Sequence, residues 1–217
     1  MKEKTQLYSL TTPNGQKVSI ALEEMEIEYV PHKIDITKDE QFTDEFIKIN
    51  PNSKIPAIVD PKANNGKDFA VFESGAILLY LAEKSGKFLS KDPFIKNETL
   101  QWLFFQMASV GPMFGQFGHF YKYAKDKCDD PYPTERYANE TKRLLGVLET
   151  RLADRDFIMG TEITIADFAT MPWVDCLSRF YEADDILELE KFKNVMRWKK
   201  TILDRPKVQK GMEVCPF

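Results

Sequence analysis

The chain has 217 residues, 43% of them hydrophobic, which is enough for one large or two small packed cores. Its net charge of −4, with 30 basic residues interspersed among 34 acidic ones, excludes a general affinity for nucleic-acid phosphates, which needs a basic excess or stripe. No apolar run is long enough to span a bilayer, and the opening MKEKTQLYSL lacks the apolar stretch of a signal peptide, so a cytoplasmic protein is expected.

Gln6 to Leu10 is a short strand candidate. After the turn TTPNG, Val18, Ala21, Leu22 and Met25 recur at helical spacing on one face, so the chain opens with a strand followed by a helix. Tyr29 to Ile34 returns to extended character, and Pro31, which has no N–H to donate, assigns that strand to a sheet edge. Ala57 to Asp60 and Phe69 to Phe72 are two further strands. The turn chemistry of NNGKD between them predicts an antiparallel hairpin. Glu73 to Lys84 then places Ile77, Leu78 and Leu81 on one helical face and stops before Gly86, a natural C-cap residue.

Beyond residue 96 the pattern is helical almost throughout. Leu100 to Met113, Thr134 to Leu152, Thr164 to Phe180 and Leu189 to Leu203 each have the length and period of a bundle helix. In ITIADF, Thr164 and Asp167 stand at capping-box spacing, with Ile163 and Phe168 at staple positions, which is a structural signal. The expected division is therefore 1–87, a small mixed sheet with helices; 88–96, a linker; and 97–217, an all-helical domain.

Few residues are available for common catalytic chemistry. Cys128, Cys176 and Cys215 match neither a zinc site nor a CxxC pair; Cys176 reads as a buried small hydrophobe and Cys215 as an exposed thiol. His32 and His119 are the only histidines, without grouped partners, and no metal is expected. Three stretches instead place polar groups at strand edges: TTPNG at 11–15, NSKIPAIVD at 52–60 and FESGA at 72–76. A cis Ile55-Pro56 bond would free the Ile55 backbone to pair with an extended ligand, although X-Pro bonds in general favour trans. Ser74 at a helix start either caps its own helix or holds a ligand carboxylate, and Glu73 beside it suits an ammonium group. Together these groups fit a small, zwitterionic, peptide-like ligand.

Over essentially its whole length the chain resembles the cytosolic glutathione transferases. TPNGQKVSIALEE, NPNSKIPAIVD, VFESGAILLYLAEK, LQWLFFQMASVGPMFGQ and ERY at 135–137 are similar in particular to the nu class, the bacterial glutathione-dependent disulfide-bond oxidoreductases, which share their fold with the globular domain of the yeast nitrogen-regulatory prion protein. The resemblance implies an α+β, thioredoxin-like N-terminal domain followed by an all-α bundle, a cis Pro56 peptide, a homodimer, and glutathione as cosubstrate. Carried over by position, Glu73 and Ser74 would hold the γ-glutamyl amino and carboxylate groups, and the Ile55 backbone would pair with the cysteinyl part at the turn shaped by Pro56. Thr12 and Asn14 would lie near the sulfur, and Gln41 and Lys54 near the outer carboxylates. Arg136 would reach the ligand from the helical domain, of its own subunit or of a partner, or else is a solvated helix charge.

Thr12 stands where related classes carry a cysteine, so a protein-linked mixed disulfide is not expected, and the ligand's own thiol becomes the nucleophile. Thr11 is a competing hydroxyl. Tyr8, several residues before the turn, reads as sheet packing. A second-substrate pocket is expected between the domains, lined by the aromatic run from Trp102 to Tyr123, with Gly111, Gly115 and Gly118 bending that helix and opening room for a ligand. The expected activity is thiol–disulfide exchange with weak conjugation. A general detoxifying transferase and a non-enzymatic binding or regulatory module remain as alternatives, the second disfavoured by the few residues that precede the first strand.

Overall fold

Strand β1 (Thr5–Ser9) alternates buried and half-buried residues, the signature of a strand covered more on one face than on the other. It runs into α1 (Pro13–Met25): Thr12 is extended, its side chain accepts from Gly15 N–H, and Pro13 occupies the first helical position. The helix stops at Glu26 in a left-handed conformation. Strand β2 (Tyr29–Lys33) follows, then two 3-10 turns and the short helix α2 (Asp44–Ile49), a stretch for which the sequence suggested no helix. Strands β3 (Ala57–Asn64) and β4 (Lys67–Phe72) form the expected antiparallel hairpin, and α3 (Ser74–Ser85) ends at Gly86 with φ 69. The structure is a computed structural model describing residues 4–217; the first three residues of the expected domain 1–87 lie outside the described residues.

The four strands lie in the order β2-β1-β3-β4. β1 pairs parallel with β2, Leu7 opposite Pro31, and antiparallel with β3, Leu7 opposite Ile58. Pro31 is therefore on an edge strand, as its missing N–H requires. Leu7, Val18, Ala21, Leu22, Ile58, Ile77, Leu78 and Leu81 are buried and form the core of this unit. Tyr8 packs on the sheet as expected, its ring stacked 4.7 Å from that of His32 and edge-on to that of Phe46 at 6.4 Å.

The helical unit consists of α4 (Pro93–Phe105), α5 (Gly111–Gly118), α6 (Tyr132–Arg151), α7 (Ile165–Arg179), the single-turn α8 (Asp184–Leu187) and α9 (Lys193–Leu203). Asp92 caps α4 by accepting from Phe94 and Ile95 N–H, so helix begins inside the expected linker. Two π-helical turns, Gln106–Val110 and His119–Tyr123, flank α5. The glycines of α5 do not leave space for a ligand. A Cβ on Gly115 would stand 3.3 Å from the Trp173 ring and one on Gly118 only 2.1 Å from that of Tyr181, so these residues let aromatic rings pack on the helix backbone. Along α6, Ala138, Thr141, Leu144, Leu145 and Leu148 are buried at helical spacing. Asp167 completes the capping box with Thr164 at the start of α7.

The last helix, α10 (Pro206–Met212), does not belong to the helical unit. The chain divides into 4–89 with 204–217, and 90–203, whereas the sequence reading carried the helical domain to residue 217. The tail packs on α1: Ser19 donates to Gly211 O at 2.6 Å, Gln16 to Met212 O at 3.2 Å, and Arg205 grips Glu24 through two bonds of 2.7 Å. A Cβ on Gly211 would come within 2.6 Å of Ile20 Cα, a backbone atom that cannot swing aside. Gly211→Ala is expected to reduce stability by about 1–3 kcal/mol, the usual range for overpacking. Denaturant unfolding checks this, and an unchanged midpoint would show that the contact relaxes without penalty. Cys215 also lies in this tail and is buried, not exposed as the sequence suggested. Among the described residues no helix is long and apolar enough to cross a membrane.

Candidate functional site

Three turns of the first unit converge on a cleft of about 210 Å³ lined by Asn14, Asn50, Asn52, Lys54, Ile55, Pro56, Glu73 and Ser74. The β1–α1 turn contributes Asn14, the approach to β3 the middle five, and the β4–α3 turn the last two. Of the residues singled out from sequence, Asn14, Lys54, Ile55, Pro56, Glu73 and Ser74 are thus brought together.

The β1–α1 turn is tight. Thr12 N–H donates to Leu10 O at 2.6 Å, and a Cβ on Gly15 would meet that same carbonyl oxygen at 2.1 Å. The two threonines separate clearly. The Thr11 hydroxyl lies 2.7 Å from Cys215 O and 2.9 Å from Val214 O, and its N–H also bonds Cys215 O, so Thr11 ties the turn to the C-terminal tail. Thr12 Oγ1 accepts from Gly15 N–H at 3.3 Å, a bond that leaves its own proton for a second partner. Thr12 is half-buried beside Asn14.

The middle wall is organised by buried Asn50. Its side chain donates to Lys54 O at 2.6 Å and accepts from Asn52 N–H at 2.9 Å, closing the loop that presents Ile55. The Ile55-Pro56 peptide is cis, as the family resemblance implies and against the general X-Pro preference. Pro56 is buried while Ile55 stays half-exposed at the cleft.

On the third wall Glu73 has φ 69 and ψ 114, outside the left-handed helical region that non-glycine residues usually occupy when φ is positive. Such conformations cost of order 1–3 kcal/mol and concentrate at ligand sites. Glu73 is exposed, whereas Ser74, the first residue of α3, is buried at the positive end of that helix. Lys17 Nζ donates to Ser74 Oγ at 3.3 Å, and Lys17 is only 1% exposed. Burial pushes its ammonium group well below the ordinary lysine range, and the Glu73 carboxylate pulls it back up.

Thr12, Gln41 and Arg136 are not among the residues lining this cleft. Gln41 sits in the second 3-10 turn, buried, with no hydrogen-bond partner for Oε1. Arg136 projects from α6 and lines a separate groove of about 590 Å³ with Met113, Tyr132, Tyr137 and Arg143. Sequence reasoning missed Asn50, Asn52 and Lys17. Lys17 had a usable signal: one turn after Asn14, it shares that face of α1. No cysteine lines the cleft. Burial pushes the Cys176 thiol up to about 12 and raises that of Cys215, so neither is a ready thiolate. Among the described residues no group of His, Cys, Asp and Glu is arranged to hold a metal ion.

A sheet of this order, a cis-proline wall and a following helical unit agree with the comparisons to known proteins. Residues 3–83 match the model for the glutathione S-transferase N-terminal domain, and residues 132–206 match that for its C-terminal domain. The chain belongs to the glutathione S-transferase family. All the cleft-lining residues fall within the N-terminal match, and Arg136 falls within the C-terminal one. It is 45% identical to the disulfide-bond oxidoreductase YghU of Escherichia coli (strain K12), over 97% of this chain and 74% of that protein. Among solved structures, a glutathione transferase family member from Pseudomonas fluorescens pf-5 with two glutathione bound superposes with a TM-score of 0.96 at 49% identity, covering 99% of this chain and 94% of that one. A glutathione transferase from Pseudomonas putida with one glutathione disulfide bound per subunit gives 0.94 at 50% identity, covering 97% and 91%.

Proposed function

We propose that this transferase binds glutathione or glutathione disulfide in the cleft and uses the glutathione thiolate for thiol–disulfide exchange, with conjugation to electrophilic carbon as a weaker activity. The observation that carries the reading is a cleft that joins Glu73, Ser74 at the α3 N-terminus, the Ile55-Pro56 turn and Lys54 and is lined by no protein thiol. Glu73 receives the γ-glutamyl ammonium, and Ser74 with the α3 N-terminus receives its carboxylate. The Ile55 backbone pairs with the cysteinyl residue, and Lys54 meets the far carboxylate. A relative named as a disulfide-bond oxidoreductase and a structural neighbour holding glutathione disulfide support the choice of reaction.

Thr12, Asn14 and the positive end of α1 stabilise the thiolate. A free thiol titrates near about 8.5, and each unit of lowering requires about 1.4 kcal/mol of preference for the anion. One or two units are within reach of two hydrogen-bond donors and a helix terminus. The thiolate attacks one sulfur of a disulfide, the S–S bond breaks, and the second sulfur departs as a thiolate that takes up a proton. A second glutathione thiolate then attacks the mixed disulfide, releasing the remaining thiol and glutathione disulfide. Two glutathiones are oxidised and one disulfide is reduced. The order of motifs along the sequence supports extending this reading to a nu-class homodimer of the cytoplasm acting on a small disulfide.

Steady-state assays test it. Turnover of hydroxyethyl disulfide with glutathione is expected to exceed conjugation of a chloronitrobenzene, and replacing all three cysteines by serine is expected to leave the disulfide rate within about threefold, since neither Cys176 nor Cys215 is thiolate-prone. Absence of glutathione binding and of both turnovers would overturn the reading. A collapse of turnover in the folded triple variant would move the nucleophile onto the protein.

A further inference from the structure

Lys17 is a buried lysine of the first unit. A lysine is almost never fully buried unless its charge has a partner, and removing an ammonium group from water carries a penalty of several kcal/mol. Here the whole side chain is 1% exposed, on a helix whose neighbouring positions Val18, Ile20, Ala21 and Leu22 are fully buried hydrophobes. A methionine would fill the same slot without the penalty. Its nitrogen reaches across from α1 to Ser74 Oγ at the start of α3. Lys17 does not line the cleft, while Ser74 does, so the cation sits one layer behind the cleft wall.

We propose that Lys17 is a positioning residue for anion recognition: by donating to Ser74 Oγ from behind, it turns the Ser74 O–H toward the cleft and adds positive charge where a ligand carboxylate docks. A lysine ammonium can only donate, so the serine oxygen must accept from it, and the hydroxyl proton is turned away from Lys17. The α3 N-terminus and the buried cation act in the same direction on that carboxylate. Burial weakens the ammonium's hold on its proton; the Glu73 carboxylate already opposes that effect, and a carboxylate bound at Ser74 opposes it further. The inference rests on the reading of this cleft as a glutathione site and assigns to that site a residue that does not touch the ligand.

The test compares two ligands on two proteins by calorimetry at pH 7: glutathione, and 4-aminobutyryl-cysteinylglycine, which lacks only the γ-glutamyl carboxylate. Lys17→Met is expected to weaken glutathione about tenfold or more, the effect of losing a charge-assisted contact. The carboxylate-free analogue, measured by displacement where it binds weakly, should change by less than about twofold, and kcat at saturating glutathione should also change by less than about twofold, since the thiol-activating turn is intact. The melting temperature of both proteins is recorded, so that a loss of glutathione affinity is read only on a folded variant. Equal weakening of both ligands, or no weakening of glutathione, would overturn the proposal. If the wild-type protein bound no glutathione at all, the function reading itself would fail, which is a different result. Should Lys17→Met not fold, Lys17→Gln carries the same comparison: it keeps a neutral donor and is expected to show a smaller loss confined to the ligand with the carboxylate.

Discussion

Replacing Asn14 by alanine is expected to lower disulfide turnover about 10- to 100-fold at neutral pH, with the loss recovered in part above pH 9. Removing one donor preorganised for a developing or resident anion typically reduces the rate by about 100-fold or somewhat more, and here Thr12 and the helix terminus remain to carry part of the work. The sign follows from the thiol. A cleft that stabilises the thiolate depresses the pKa of bound glutathione, so the wild-type rate reaches its plateau at lower pH than free glutathione would allow. In the variant that pKa moves back toward the free value of about 8.5, and the rising limb of the pH–rate profile moves up with it. Two measurements check this: the pH dependence of kcat/KM with hydroxyethyl disulfide, and direct titration of the bound thiolate by its ultraviolet absorbance. An Asn14→Ala enzyme with full activity and an unmoved profile would remove the β1–α1 turn from the mechanism.

Asp167→Ala is expected to destabilise the helical unit by about 3–5 kcal/mol, lowering its melting temperature on the order of 10 °C. Asp167 is completely buried. Oδ1 accepts from Ile158 N–H at 2.8 Å and from Trp198 Nε1 at 2.9 Å, while Oδ2 accepts from Thr164 N–H at 2.9 Å and from its hydroxyl at 3.0 Å. Burial raises its carboxyl pKa, and all four donors pull against that rise. Truncation leaves two backbone N–H groups and an indole N–H buried without partners, each a penalty of about 1–3 kcal/mol. Asparagine is no substitute at this position, since one of the two acceptor oxygens becomes an NH₂ facing existing donors. Asp167→Asn should therefore lose at least half as much as the alanine variant. Chemical denaturation monitored through Trp198, whose ring is fully buried, reports this directly. A loss below about 1 kcal/mol would mean that water or a shifted loop satisfies the freed donors.

Much of the local architecture was legible because it is encoded within a few residues. Gly86 closes α3, Thr164 with Asp167 opens α7, and the NNGKD turn joins two antiparallel strands, each through hydrogen bonds or dihedral preferences spanning at most a turn. Pro31 revealed an edge strand by the donor it lacks. Of the six named residues that line the cleft, Ile55, Pro56, Glu73 and Ser74 could be singled out for the same reason, since strand ends and helix starts are where backbone groups lack partners in their own element, whereas Asn14 and Lys54 were implied by the family resemblance.

What the sequence by itself determined was therefore the two-part α+β and all-α plan and the three polar turns that meet at the cleft. The tertiary structure alone decided how distant segments divide the remaining roles. The contact between Ser19 and Gly211 joins positions 192 residues apart, which is why the tail belongs with the first unit and why Cys215 is buried. The same tail occupies the hydroxyl of Thr11, leaving Thr12 as the threonine beside Asn14. Lys17 reads in one dimension as an ordinary helix charge, and only the approach of α3 turns it into a buried cation behind Ser74. Burial and pairing depend on what packs against a residue from elsewhere in the chain, and that is information no local pattern contains.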